Sequence, residues 1–104
     1  MSDARLESLG SGRFRLNGVL DVSTAADVLA QSVERFANVT RIDVDLGGVS
    51  DADSAGLALL IEWLRRAREK SQQIFFANVP GQINALAKIS EVDELLNPAE
   101  AAKA

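Results

Sequence analysis

The chain has 104 residues, of which 47% are hydrophobic and 25% charged, with a formal net charge of −4. These are globular proportions, and the length is that of one domain covering residues 1–104, with a frayed tail from about residue 98. The absence of cysteine and histidine excludes disulfides, thiol and imidazole catalysis and the commonest zinc sites, and the negative charge disfavours binding to nucleic acid.

The first third of the chain predicts a hairpin followed by a helix. Apolar and charged residues alternate on both sides of a GSG turn within residues 5–16, which indicates two strands with one buried face. Residues 22–38 have helical spacing, and Ser23 or Thr24 can cap this helix. Its apolar stripe consists of Ala25, Leu29, Ser32 and Phe36.

The rest of the chain alternates strands and helices. RIDVDL at 41–46 alternates apolar and acidic residues and predicts a strand with one covered face. An amphipathic helix that starts at Ser54 follows, then a strand at 73–78 and a helix at 79–90. The order ββαβαβα plus a short terminal element predicts an α/β fold, with helices packed on a mixed β-sheet.

The second helix has two contrasting faces. The stripe that we expect to face the sheet consists of Leu57, Leu60, Ile61, Leu64 and Ala67. Leu59 and Trp63 fall on the opposite side, with Ala55 beside them and Glu62 and Arg66 around them. An exposed Leu and Trp with a charged rim form the arrangement that protein interfaces favour. The alternative is that Trp63 folds over the sheet edge and Leu59 is an ordinary exposed apolar residue.

The start of this helix allows two interpretations of Ser54. Asp53 or Ser54 caps the helix through its side-chain oxygen, which is the common role of both residue types. The same position offers free N–H groups and the positive end of the helix dipole to a phosphate or to a partner's acidic group. Gly56 permits close approach, whereas Asp51 and Asp53 oppose a phosphate by like charge. At this point both interpretations stay open.

The acidic residues at the end of the third strand raise the question of an active site. Asp45, Asp51 and Asp53 offer oxygen ligands for a magnesium ion, or an acid and base pair. Acids are ordinary in turns and in first helical turns, and neither GSG nor GG has the spacing or the lysine of a phosphate loop. We therefore expect a protein that is not an enzyme and that has no metal and no cofactor.

Two segments carry a family resemblance. NGVLDVSTAADVL followed by RIDVDLGGVSDADSAGLALLIEWLRRAR resembles the STAS domain, the fold shared by anti-sigma factor antagonists and the cytoplasmic tails of sulfate transporters. The likeness covers nearly the whole chain, and its most specific piece is Asp-Ser-Ala-Gly-Leu at 53–57. In anti-sigma factor antagonists, the serine that matches Ser54 accepts a phosphoryl group and starts the helix that binds the partner.

Within this family, SAGLALLIEWLRRAR and INALAKISEVDELLNP are similar to the small STAS subunit of the ABC transporter that maintains outer-membrane lipid asymmetry. This resemblance implies an accessory subunit that binds and supports the ATPase subunit, and reaches the membrane permease through it. The alternative is an anti-sigma factor antagonist controlled by phosphorylation of Ser54. Such antagonists usually carry apolar residues where this chain has the acidic run at 51–53, which favours the transporter subunit. The partner-binding residues that we expect are Asp53, Ser54, Ala55, Leu59, Glu62, Trp63 and Arg66.

The chain shows no signal for membrane insertion. Its apolar run at 57–61 is far shorter than the ~20 residues that cross a bilayer. The N-terminus lacks the basic start and apolar core of a signal peptide. We expect a cytoplasmic protein that is peripheral at the inner membrane through the transporter complex, without direct insertion.

Overall fold

The computed structural model describes residues 3–96 and shows an α/β fold with a four-stranded mixed sheet in that range. The elements are β1 Ala4–Gly10, β2 Arg13–Leu20, α1 Val22–Phe36, β3 Arg41–Ala52, α2 Ser54–Glu69, β4 Gln73–Ala77, α3 Gly81–Ile89 and α4 Asp93–Leu96. This confirms the predicted order, although β2 and β3 continue well beyond their predicted ends. The tail expected from about residue 98 lies outside the described residues.

The strands lie side by side in chain order, β1-β2-β3-β4. β1 and β2 are antiparallel, because the turn between them is short, whereas β2–β3 and β3–β4 are parallel and are joined by the helices α1 and α2. The register pairs Leu20 with Ala52. The carboxyl ends of β2 and β3 therefore lie side by side at the same end of the sheet.

The helices cover one face of the sheet. The inward side chains of the three longer strands are buried and apolar, whereas the alternate positions carry charges on the opposite face. The buried strand residues include Leu6, Phe14, Leu16, Ile42, Val44 and Leu46. The strand face predicted from RIDVDL is thus confirmed.

The expectation that Leu59 and Trp63 are exposed is wrong. Leu59 is 4% exposed and Trp63 is 2% exposed. The Trp63 ring packs against Phe36 of α1, with 5.3 Å between ring centroids, and stacks at 6.4 Å on Phe76 of β4. A helix packed against the sheet alone would leave this side of α2 exposed, but α2 also packs beside α1. Both residues therefore belong to the core and cannot anchor a partner on this fold.

The cap of α1 also differs from the prediction. Asp21, and not Ser23 or Thr24, is the N-cap. Its Oδ1 accepts hydrogen bonds from the backbone N–H groups of Ser23 and Thr24, both at 3.0 Å. Thr24 Oγ1 accepts in return from the Asp21 N–H at 2.8 Å, which completes a capping box. The hydrogen bond from the Thr24 N–H leads the contributions that lower the pKa of Asp21.

None of the helices within residues 3–96 combines the length and the apolar character needed to cross a membrane.

Candidate partner-binding site

Asp53 is the residue that caps α2. Its Oδ1 accepts a hydrogen bond from the Ala55 N–H at 2.8 Å, and its extended backbone stands just before the helix. Ser54 is the first helical residue and is exposed. Its hydroxyl makes no hydrogen bond with another residue of the described range. The cap interpretation therefore holds for Asp53, and the Ser54 hydroxyl is available for another role.

Ser54 lies at the end of the sheet formed by the carboxyl ends of β2, β3 and β4, where three helices begin. The Asp53 N–H donates to the Leu20 carbonyl oxygen at 3.1 Å, which ties the start of α2 to the end of β2. From the other side, Gln82 near the start of α3 donates through Nε2 to Asp51 Oδ1 at 2.5 Å. The amino-terminal ends of α1, α2 and α3 thus lie at the same end of the sheet, and their positive dipole ends are directed toward it.

Sequence reasoning missed two exposed residues at this end of the sheet. Val22 opens α1 directly after its Asp cap and is 78% exposed. Ala58 is exposed one turn after Ser54 on the same line of α2. The sequence does contain a signal for Val22. Asp21, like Asp53, follows a strand and precedes a helix, so Val22 occupies in α1 the position that Ser54 occupies in α2. The residues that we name the Ser54 surface are Val22, Asp53, Ser54, Ala55 and Ala58.

The predicted rim residues Glu62 and Arg66 bind each other. Arg66 Nε and Arg65 Nη2 each lie 2.7 Å from Glu62 Oε2, and Arg65 also pairs with Glu69. The hydrogen bond from Arg65, followed by that from Arg66, lowers the pKa of Glu62 to about 2. Both rim side chains are half-buried and already paired with each other, on the turns of α2 that follow Ala58.

The acidic residues of β3 and the α2 cap do not form a joint site. Asp45 Oδ1 accepts from Asn78 Nδ2 at 2.9 Å and from the Gly47 N–H at 2.8 Å, and these bonds lower its pKa. Asp51 binds Gln82, and Asp53 caps α2. Within residues 3–96 no three His, Cys, Asp or Glu side chains are arranged to hold a metal ion. The described geometry thus gives the magnesium interpretation no support.

The chain belongs to the STAS domain family. The family model described as "Mlab, STAS domain" matches residues 5–97, so the resemblance found in the sequence is confirmed at the level of the family. A search of curated proteins found no match.

The fold is similar to two solved structures of one protein. One is the anti-sigma factor antagonist SpoIIAA in its unphosphorylated form, with 18% identity and a TM-score of 0.69 over 89% of this chain and 84% of that chain. The other is the Bacillus cell fate determinant SpoIIAA in the phosphorylated form, with 18% identity and a TM-score of 0.66 over 96% of both chains. At this identity the likeness establishes the fold alone.

Proposed function

We propose that this STAS domain is a non-catalytic binding module that docks on a partner protein through the Ser54 surface. One observation carries this proposal. Asp53 caps α2, so the exposed Ser54 hydroxyl is not needed as a cap and makes no hydrogen bond within the described residues. The short side chains of Ser54 and Ala58 let a partner's backbone approach closely. Val22, which is 78% exposed at the start of α1, supplies an apolar contact.

The first candidate for the biological role is an anti-sigma factor antagonist controlled by phosphorylation of Ser54. The similarity to SpoIIAA in its unphosphorylated and phosphorylated forms favours this candidate over a transporter subunit. Exposure gives a kinase access to the hydroxyl. A phosphate there would add about −1.5 to −2 charge beside Asp51 and Asp53, and that charge would repel an acidic partner surface or attract a basic one.

The second candidate is an accessory subunit that binds and supports the ATPase subunit of a phospholipid-transporting ABC complex, on the cytoplasmic side of the inner membrane. The similarity of the segments at 54–68 and 83–98 to the small STAS subunit supports it. Asp51 and Asp53 also favour it, because their charge opposes a phosphate on Ser54. In this role Ser54 makes a constant hydrogen bond to the ATPase.

One purification distinguishes the two candidates. The tagged full chain is isolated from gently solubilised native cells, its partners are identified, and the mass of the peptide that contains Ser54 is measured. An ABC ATPase with its permease and an unmodified serine supports the transporter subunit. A kinase together with a Ser54 peptide heavier by one phosphate supports the antagonist.

Substitutions at Ser54 test the docking surface for either partner. Ser54→Asp should weaken partner binding about tenfold or more, because it adds a buried charge to the contact. Ser54→Ala removes one hydrogen bond and should cost about 1 kcal/mol. Ser8→Asp makes the same charge change at an exposed position of β1 and should leave binding unchanged. Equal recovery of the partner with Ser54→Asp and wild type would exclude the Ser54 surface.

A further inference from the structure

The two edge strands of the sheet, β1 and β4, differ in whether side chains of the protein bind their outward backbone groups. At the β1 edge, the Leu6 N–H donates to Gln31 Oε1 at 3.2 Å, and the Leu6 carbonyl oxygen accepts from Arg35 Nη1. Both side chains come from α1. They occupy the backbone groups to which another strand would bind, which is one way in which natural proteins block strand addition.

In the part of the chain that the structure describes, the β4 edge has no such cover. The Gln73 N–H donates to the Thr40 carbonyl oxygen at 2.9 Å, so the backbone of Gln73 points toward β3. In a parallel pair the residues of a strand alternate in the side to which their backbone groups point, and Ile74 and Phe76 therefore point away from β3. Within residues 3–96, neither a further strand nor a side-chain hydrogen bond covers these outward groups.

The central side chains of β4 are apolar, and the sequence around this strand carries no charge. Ile74 and Phe76 are half-buried and Phe75 is 38% exposed. No charged residue lies between Lys70 and Lys88, whereas β1, β2 and β3 all contain charges. β4 is thus an open edge rich in strand-forming residues and without the charges that usually protect such an edge.

The nearest charges on the open face of the sheet neutralise each other. The Arg41 guanidinium lies 4.4 Å from the centre of the Phe75 ring, and its Nε is 3.2 Å from Asp43 Oδ2. A second copy of the chain that approaches Phe75 therefore meets an ion pair rather than an excess of one charge.

We propose that β4 pairs antiparallel with β4 of a second copy of this chain, about a two-fold axis at Phe75. In this register Ile74 lies opposite Phe76 of the second copy, and the outward N–H and C=O groups of both residues exchange hydrogen bonds across the axis. Phe75 lies opposite Phe75 of the second copy. The two sheets thereby join into one continuous sheet.

The strand fits its own copy for two reasons. The two-fold arrangement makes one aromatic pair and two aromatic with β-branched pairs, which are favourable cross-strand neighbours. Because β4 is neutral, the contact also brings no like charges together, although each chain has a net charge of −4. A five-residue strand forms a small contact, so we expect a concentration-dependent equilibrium rather than a permanent dimer.

Sedimentation equilibrium of the full chain, from micromolar to millimolar concentration, tests the proposal. The average mass should rise from 11.1 kDa toward twice this value. Phe75→Glu or Phe75→Lys alone should weaken association about tenfold or more, because like charges then face each other across the axis. An equimolar mixture of the two variants should associate more strongly than either alone, because Glu then faces Lys.

Leu9→Glu is the matched control, since Leu9 is an exposed apolar residue of β1 at 46% exposure. It should associate like wild type. Hydrogen exchange of the wild-type chain gives a second readout that needs no variant, and protection of the Ile74 and Phe76 amides should increase with protein concentration. A wild type that stays at 11.1 kDa, a Leu9→Glu variant that loses association, or a mixture no stronger than its components would overturn the proposal.

Discussion

The indole Nε1–H of Trp63 donates a hydrogen bond to the Ser32 hydroxyl, at 2.9 Å, across the buried contact between α2 and α1. The same hydroxyl donates to the Leu29 carbonyl oxygen at 2.7 Å. Each polar group of this pair thus has a partner, although Trp63 and Ser32 are both only 2% exposed. This relay is what allows a tryptophan to lie between two helices in the core.

Ser32→Ala should destabilise the fold by about 1 to 3 kcal/mol, because it leaves the Trp63 N–H buried without an acceptor. Urea unfolding followed by the fluorescence of Trp63, the one tryptophan of the chain, measures this loss. Val33→Ala in the same helix changes a residue that is 50% exposed and should cost clearly less. Equal stability of Ser32→Ala and wild type would show that the hydrogen bond contributes nothing.

The two helix caps should differ in strength. Asp53 accepts one backbone hydrogen bond, so Asp53→Ala should cost about 1 kcal/mol. Asp21 accepts from two backbone N–H groups and from the Ser23 hydroxyl at 2.7 Å, so Asp21→Ala should cost more. Urea unfolding gives both values, with Glu34→Ala, an exposed acid near the end of α1, as the control. A larger loss for Asp53→Ala would contradict the hydrogen-bond pattern.

Charge at Ser54 should leave the fold intact. In Ser54→Asp, attraction to the positive end of the α2 dipole offsets repulsion from Asp53 and Asp51, so the free energy of unfolding should stay within about 0.5 kcal/mol of wild type. Ser54→Ala should behave alike, since Ser54 makes no hydrogen bond within residues 3–96. Thermal unfolding checks both variants. A large loss in either one would mean that Ser54 is needed for folding, and a binding defect could then not be assigned to the surface.

Acid should weaken the Glu62 ion pairs. Hydrogen bonds from Arg65 and Arg66 lower the pKa of Glu62 from 4.5 to about 2. A lowered folded-state pKa contributes stability that is present above pH 4.5 and is lost as the pH falls toward about 2. The stability difference between wild type and Glu62→Gln should therefore shrink over this range. It should also shrink in high salt, because the pairs lie at the surface.

Urea unfolding of wild type and Glu62→Gln, at neutral pH and near pH 2, measures this difference. Glu34→Gln is the control, because it removes an exposed acid of α1 outside the Glu62 cluster. A difference between wild type and Glu62→Gln that is the same at both pH values would count against the ion pairs.

Local periodicity was enough to predict most of the fold. The alternation of Ile42, Val44 and Leu46 with acids holds in β3, because a strand with one covered face buries every second side chain. The continuation of β3 to Ala52 was not predicted. GGVS at 47–50 looks like a loop in isolation, and only pairing with β2 in the folded chain keeps it extended.

The candidate site was predicted in part. Ser54 and Asp53 could be singled out from the sequence, because a serine next to an aspartate at a helix start can either cap the helix or contact a ligand. Leu59 and Trp63 were misassigned because a helical pattern shows which residues share a face, but not how many neighbours the helix has. With α1 on one side of α2 and the sheet beneath it, the buried arc of α2 is wider than one stripe.

The order of the strands in space is also the order in which the chain is synthesised. Each strand that leaves the ribosome can pair with the strand made just before it, and none has to insert between two strands that are already paired. The sheet can therefore extend in one direction from the hairpin of β1 and β2, with each step closing only a short length of chain. At every stage of synthesis, the growing edge is the strand made most recently.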